Sequence, residues 1–380
     1  MTGVTRIVAR GGEVVLVTER APEPRRGEVL VATRYSVISP GTERTILEAT
    51  RADGWASHEY PEPSQAWPHV RSGGVRHDLL LPRPPSPDYA SLGYSVAGRV
   101  LAAGEGVADL APGDLVACGG SQCAFHSDVV AVPRNLVVRV PGGLGADRAA
   151  FVTLGSIALE ALRRSERTLG ETIAVFGCGV LGVLITMLAR AAGMYVVAID
   201  PDPERREVAV AAGAVPADAG PVGNRVGGDL PGQVRARTDG FGADAAIITV
   251  TTESSDVVNA AVDVLRPGGV VVGVGQFGMG LGRDRWFGAQ ATILPSIAYG
   301  PGRYDPVYEE NNWDYPINVV RWTENRNMTA FLRLAADGRL DLDQIPVMRV
   351  PAADAARAYA ALAAGGLPLT GLIGYPGKDA

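Results

Sequence analysis

Over its first 140 or so residues the chain alternates short apolar runs with glycine and proline, at the two-residue period of strands. The pattern predicts strands at 14–17, 28–35, 95–101, 114–118, 128–132 and 136–140, an antiparallel β-rich domain. Residues 52–87 interrupt it. Pro, Gly, His and Trp gather there without periodicity, and long loops of that kind are usually functional or interfacial. From Asp147 to Arg164 the period is that of a helix. Strands and helices then alternate: a strand at 173–176, a helix to Arg190, a strand at 195–199, a strand at 245–250, a helix at 256–265, and strands at 270–274 and 292–298. Such alternation predicts a parallel, doubly wound α/β sheet. The tail returns to helix (328–337), strand (347–350), helix (352–364) and strand (369–374).

A chain of 380 residues exceeds one ordinary core, so two domains are expected. The hydrophobic share of 47% with 20% charged residues describes a globular protein. A net charge of −6 argues against nucleic acid or an anionic membrane as partner. Lys378 is the single lysine, which leaves none mid-chain to act as a base. Three cysteines, Cys118, Cys123 and Cys178, cannot build a disulfide framework and fit a reducing, cytoplasmic compartment. The N-terminus carries no apolar signal core, and the apolar run at 180–188 is too short to span a bilayer.

The densest chemistry lies between Ile173 and Asp200, where strand, glycine turn, helix and second strand follow in order. The turn reads Gly177-Cys178-Gly179-Val180-Leu181-Gly182. Gly177 permits the tight turn, Gly179 lets a pyrophosphate approach the backbone, and Gly182 lets helix and strand pack closely. Val180 and Leu181 open the helix, whose free N–H groups and positive partial charge suit phosphate. Asp200 ends the second strand, where a carboxylate accepts hydrogen bonds from a ribose diol and repels a 2′-phosphate. Arg205 is a candidate for the ribose side, although Arg205 and Arg206 start a helix and can pair with Glu204 or Glu207 instead. Thr251 and Gly275, just past later strands, complete the expected cofactor set. NAD is expected over NADP.

A β-rich first domain, a dinucleotide fold and a returning tail resemble the medium-chain dehydrogenase/reductase family over essentially the whole chain. Beyond the glycine turn, the stretch Glu28 to Ile38 is similar to the family's first catalytic-domain strand. Gly93-Tyr94-Ser95-Val-Ala-Gly98-Arg-Val resembles its G-H-E-x-x-G-x-V, and Gly113-Asp114-Leu-Val its G-D-x-V. Residues 265–275 resemble its late cofactor-domain strand. The resemblance implies a GroES-like catalytic domain over 1–150, completed by 325–380, and a Rossmann domain over 151–324. It also implies a homodimer joined through the cofactor-domain sheets.

The departures concern metal. Zinc enzymes of the family use a Cys in C-G-T-D, the His of G-H-E and a third residue before the cofactor domain. Those positions here are Pro40, in Ser39-Pro40-Gly41-Thr42-Glu43, then Tyr94 and Thr153, and Ser95 replaces the Glu. The four-cysteine structural lobe is missing too. None of the three is a thiolate, imidazole or carboxylate ligand, so no zinc is expected. Cys118, Cys123 and His126 form C-x4-C-x2-H without a fourth ligand nearby, and are read as two packed thiols beside a histidine rather than a displaced metal site. His58, His69 and His77 in the long loop are expected to be solvated.

Alcohol oxidation without a Lewis acid needs a side chain to take the hydroxyl proton while hydride leaves carbon. The resemblance puts Thr42 at the family's proton-relay hydroxyl, Glu43 at its adjacent acid and Tyr94 in the place of the metal. Two plainer readings stand beside these: Tyr94 as filler of the metal's space, and Glu43 as a cap or partner of Arg44. After the last sheet strand, Tyr299, Arg303 and Tyr304 open a stretch rich in aromatics and arginine. Aromatic faces suit sugar or cyclitol rings and arginines suit carboxylate or phosphate, while subunit interfaces share that composition. The expected activity is zinc-independent, NAD(P)-dependent interconversion of a secondary alcohol and a ketone on a small polyhydroxylated molecule. A zinc-free enoyl or quinone reductase and a catalytically inactive cofactor-binding protein are the alternatives.

Overall fold

The computed structural model describes residues 3–51, 89–220 and 229–376. The loop histidines His58, His69 and His77, and Lys378, lie outside the described residues. The chain divides into two compact units, Met1–Thr153 with Pro301–Arg333 and Val347–Ala380, and Leu154–Gly300 with Leu334–Pro346. Residues 301–324, placed by sequence in the cofactor domain, thus group with the first unit, and 334–346 group with the second.

In the first unit β1 (Val4–Arg10) pairs antiparallel with β2 (Glu13–Glu19). A larger sheet is built on β3 (Glu28–Val37), while β4 (Ala90–Ser91) returns to β1. β5 (Ser95–Ala103), β6 (Leu115–Gly119), β7 (Val129–Pro133) and β8 (Val137–Arg139) extend the larger sheet by antiparallel pairing. Strand β1 escapes the alternation rule because its polar residue points inward. Arg6 is buried, with its guanidinium 3.7 Å over the Phe125 ring and 3.2 Å from Glu19. The helix expected from Asp147 to Arg164 is two, Ala146–Ala149 and Val152–Arg164. The break is tied to β5, because Ser95 Oγ donates to the Ala150 carbonyl (2.7 Å) and accepts from the Thr153 N–H (3.1 Å).

The second unit is a six-stranded parallel sheet made of β9 (Thr172–Phe176), β10 (Tyr195–Asp200), β11 (Val215–Asp218), β12 (Ala243–Ile248), β13 (Leu265–Gly273) and β14 (Thr292–Pro295). Their order, β11-β10-β9-β12-β13-β14, is that of a doubly wound dinucleotide fold. Strand β14 stops at Pro295, three residues short of the expected end. Ala198, Ile199, Ala246 and Ile247 are all buried, as expected for strands covered on both faces.

The tail completes the first unit. β15 (Val347–Pro351) runs parallel to β16 (Thr370–Gly374), and β16 pairs antiparallel with β3, Leu372 opposite Val37. Between these strands the helix Ala355–Ala363 shares an apolar cluster with Ile38, Ile46, Leu47 and Ile373. The helix Pro40–Ala49, absent from the periodicity reading, begins with Pro at its first turn. Pro-Gly reads as a turn in sequence, yet Pro's fixed φ also suits a helix start.

Leu184 is fully buried in the helix Val180–Ala191 of the second unit. Leu184→Ala is expected to destabilise the protein by about 2–5 kcal/mol, read from urea unfolding.

Candidate functional site

Phe176 lies opposite Ile199 of β10 and Ile248 of β12, so the chain leaves β9 at the sheet's switch point. Gly177 turns there with φ +97°, and a Cβ would stand 2.7 Å from both Thr249 Oγ1 and Val250 Cγ1. Its N–H donates to the Ile199 carbonyl at 2.8 Å, and the Thr249 hydroxyl donates to the carbonyl of Gly177 at 3.0 Å. Gly182 faces the Gly177 carbonyl so closely that any Cβ would run into it. Gly179 caps the helix Val180–Ala191, and a Cβ on it would meet open space. The Gly179 carbonyl accepts first from the Val183 N–H, so the N–H groups of Val180, Leu181 and Gly182 have no acceptor within the helix. That is an anion-binding end.

Asp200 is buried at the end of β10. Its Oδ2 accepts from the Cys178 N–H (2.7 Å) and its Oδ1 from the Asp202 N–H (2.9 Å), so one carboxylate ties the strand end to the glycine turn. The two arginines differ from their expected pairing with Glu204 or Glu207. Arg205 is exposed and lies 3.5 Å from Asp202. Arg206 turns inward, donating to the Asp200 carbonyl and lying 3.6 Å from Asp218. Thr251 is exposed. Next to it, the Thr252 N–H donates to the Gln276 carbonyl (2.8 Å), and Gly275 lies against the Val250 carbonyl.

In the first unit Glu43 has no exposed surface. It reaches back to the Ser39 N–H at 2.7 Å, a variant of the capping box, and sits in the helix's first turn where a negative charge is favoured. Its other partners come from far along the chain. Tyr359 donates to Oε2, and His126 Nε2 lies 3.1 Å from the same oxygen. A carboxylate only accepts, which makes Nε2 the donor. His126 Nδ1 stands 2.7 Å from Ser36 Oγ, and Ser36 Oγ 3.0 Å from the Tyr375 hydroxyl. Arg44 bonds the Leu362 carbonyl (3.2 Å) instead of Glu43. Tyr94 donates to Ser39 Oγ at 2.6 Å, and Ser39 Oγ donates to Thr42 Oγ1 at 3.4 Å, with Thr42 exposed. Burial pushes the Tyr94 phenol up to about 12, against the opposing pull of the Ser39 hydroxyl.

Sequence reasoning reached Thr42, Glu43 and Tyr94 but not Ser36, Ser39, Tyr359 or Tyr375. Only Ser39 left a local signal, the spacing from a cap serine to an acid in the first turn.

The profile of the Zinc-binding dehydrogenase family matches residues 180–310. (R,R)-butanediol dehydrogenase of Bacillus subtilis (strain 168) is 30% identical over 180 residues, 41% of this chain and 50% of that protein. D-guloside 3-dehydrogenase of Escherichia coli (strain K12) is 28% identical over 260 residues, 67% of this chain and 68% of that protein. The solved alcohol dehydrogenase TADH from Thermus sp. ATN1 superposes with a TM-score of 0.72 at 21% identity, covering 98% of this chain and 99% of the other.

The chain is thus similar to zinc-binding dehydrogenases over residues 180–310 and has the fold of a medium-chain alcohol dehydrogenase over nearly its whole length. It spans about half the length of the butanediol dehydrogenase that it matches. The profile's name implies zinc, and the residues that the motif resemblance puts at the zinc-ligand positions do not fit one. Pro40 opens a helix, the Tyr94 phenol is bonded to Ser39, and Thr153 Oγ1 donates to the Tyr94 carbonyl at 3.0 Å. Cys118 and Cys123 are buried, and burial raises both thiols. His126 is engaged by Glu43 and Ser36.

The three substrate candidates divide between the units, Tyr299 in the second and Arg303 and Tyr304 in the first. Tyr299 is buried. Arg303 was expected to present its charge to a substrate, but its side chain is 5% exposed and its NH1 lies 2.5 Å from Glu309. It also donates to Ser121 Oγ (2.7 Å) and Gln122 Oε1 (3.0 Å), and lies 4.3 Å over the half-buried Tyr304 ring. The guanidinium therefore meets an internal acid.

Tyr359→Phe removes one donor from the buried Glu43. The expected cost is about 1–3 kcal/mol in urea unfolding, with NADH affinity by fluorescence titration unchanged.

Proposed function

We propose that this chain interconverts a secondary alcohol and a ketone with NAD(H), without zinc, on a small polyhydroxylated substrate. The observation that carries the reading is the hydroxyl chain Tyr94–Ser39–Thr42, and the motif resemblance that puts Tyr94 at a zinc-ligand position of the family supports it. The nicotinamide cofactor, when bound, supplies or accepts the hydride. With its phenol pushed up to about 12, Tyr94 keeps its proton at neutral pH and acts as the acid that protonates the carbonyl oxygen in the reductive direction. Ser39 and the exposed Thr42 return a proton from outside. Glu43 has no exposed atom, so it acts through Ser39, fixing the amide and with it the hydroxyl that accepts from Tyr94. Polyhydroxylated substrates are supported by the two relatives, named for a butanediol and a guloside.

The preference for NAD rests on Asp200, with Asp202 beside it. A 2′-phosphate carries about two negative charges, and setting it against this end of β10 costs several kcal/mol, roughly a hundredfold in affinity. The exposed Arg205 is already drawn to Asp202. In the same reading the protein is a cytoplasmic homodimer joined through the cofactor-domain sheets, supported by three buried free thiols and by β14 at the sheet's edge.

Fluorescence titration should show NADH binding at least about a hundredfold more tightly than NADPH, and Asp200→Ala should narrow the gap. Equal affinities in the wild type would refute the NAD assignment. In a panel of ketones, enones and quinones, chelator-treated protein should reduce ketones. Tyr94→Phe should lower kcat by about a hundredfold to ten-thousandfold with the cofactor affinity intact. Turnover of enones or quinones alone would instead indicate an enoyl or quinone reductase, and tight NADH binding with no turnover a non-catalytic protein.

A further inference from the structure

The first unit holds another buried acid, and it has no part in the redox reading. Glu324 opens the helix Glu324–Ala336 with no exposed surface, and no described residue gives either carboxyl oxygen a hydrogen bond. Buried polar groups without partners are rare enough that each requires a physical explanation. Its neighbourhood supplies one. Arg303 and Glu309 form an ion pair at 2.5 Å with side chains 5% and 2% exposed, so a single guanidinium faces two interior carboxyl groups. The other titratable groups facing Glu324 are Asp305, Tyr308 and Tyr315 from the same segment, and Cys123 from the turn after β6. None brings a further positive charge. Tyr308 is bonded to Thr323 at 3.0 Å and stacks on Tyr315 with 5.4 Å between centroids, while Tyr315 donates to Asp305.

A second carboxylate in this place would lose its hydration and be repelled by Glu309, while Arg303 is already matched. Burial first, and Glu309 next, hold the Glu324 carboxyl well above the usual carboxylate range. Away from this cluster, residues 301–323 are fastened by partly exposed polar contacts, Asn312 to the Gly27 carbonyl (2.9 Å) and Asp314 to Arg326. Arg303 joins the segment to Ser121 and Gln122, so the acid pair sits at its buried root.

We propose that residues 301–323 form a proton-dependent latch, closed on the first unit while Glu324 is neutral and loosened when Glu324 ionises beside the Arg303–Glu309 pair. The closed state holds one more proton than the open one. Closure is therefore complete below the ordinary carboxylate range and weakens as pH rises from that range through the raised value in the closed state. Within that window one linked proton changes the opening constant by about tenfold per pH unit.

Hydrogen exchange of the full-length protein, corrected for intrinsic rates and read on peptides covering 301–323, tests this from about pH 6 to about pH 9. Protection in the wild type should fall with pH, by up to about tenfold per unit, and Glu324→Gln should hold it level. Parallel profiles for the two proteins, or a level profile in the wild type, would overturn the proposal. The wild type alone gives a second measurement, should the variant fold poorly. Its infrared spectrum at neutral pH should contain a protonated carboxyl band, and its absence would equally overturn the latch. Neither readout uses cofactor or substrate, so failure here leaves the redox reading standing, and the reverse.

Discussion

A carboxyl group with no exposed surface is costly to keep in a protein interior unless donors surround it, and the first unit is arranged around meeting that condition for Glu43. The three donors come from three places: the preceding loop at Ser39, the turn after β6 at His126, and the tail helix at Tyr359. None of these can move without stranding an internal charge. The apolar cluster of Ile38, Ile46, Leu47, Leu362 and Ile373 encloses the same point, so packing and polar satisfaction select one arrangement. The Tyr94–Ser39 contact inherits its position from this knot, since the Ser39 residue that accepts the phenol is the one whose amide Glu43 holds.

The two sites differ in how far apart their parts lie in the chain. The nucleotide turn is contiguous from β9 to β10. Its demands are a positive φ at Gly177, the close approach at Gly182 and an acid at the strand end, each belonging to one residue type at one spacing. Such requirements are legible in sequence. Glu43 is separated from His126 by 83 residues and from Tyr359 by 316, and no local period encodes a meeting at that distance. His126 was visible only beside Cys118 and Cys123, where residue type suggests metal, while its ring turns to Glu43 and Ser36. Periodicity failed where polar residues point inward, as with Arg6 in β1, and where Pro-Gly opened a helix at Pro40 instead of a turn. Arg303 misled in the same way. Composition shows a guanidinium near aromatics, and only the fold shows Glu309 beneath it.

The interior carboxyls show how differently one residue type can be accommodated. Asp200 is met by two backbone N–H groups, which any sequence can supply if the chain turns correctly. Glu43 relies mainly on side chains, and substitution at a distant position can disturb it. Glu309 faces an arginine, and Glu324 faces neither a donor nor an unmatched charge. Burial alone does not set the character of an acid; the donors that accompany it do.

The returning tail has a consequence for the order in which the protein is made. The six described strands of the second unit lie between Thr172 and Pro295, so they are all made before β15 and β16 leave the ribosome. The first unit is different. Its strand β3 is translated before them, yet its neighbour β16 and the Tyr359 that meets Glu43 come only after them. Domains usually fold in the order of their synthesis. Here the first unit is completed only after the strands of the second, and its sheet waits with an open edge at β3 while those strands are made.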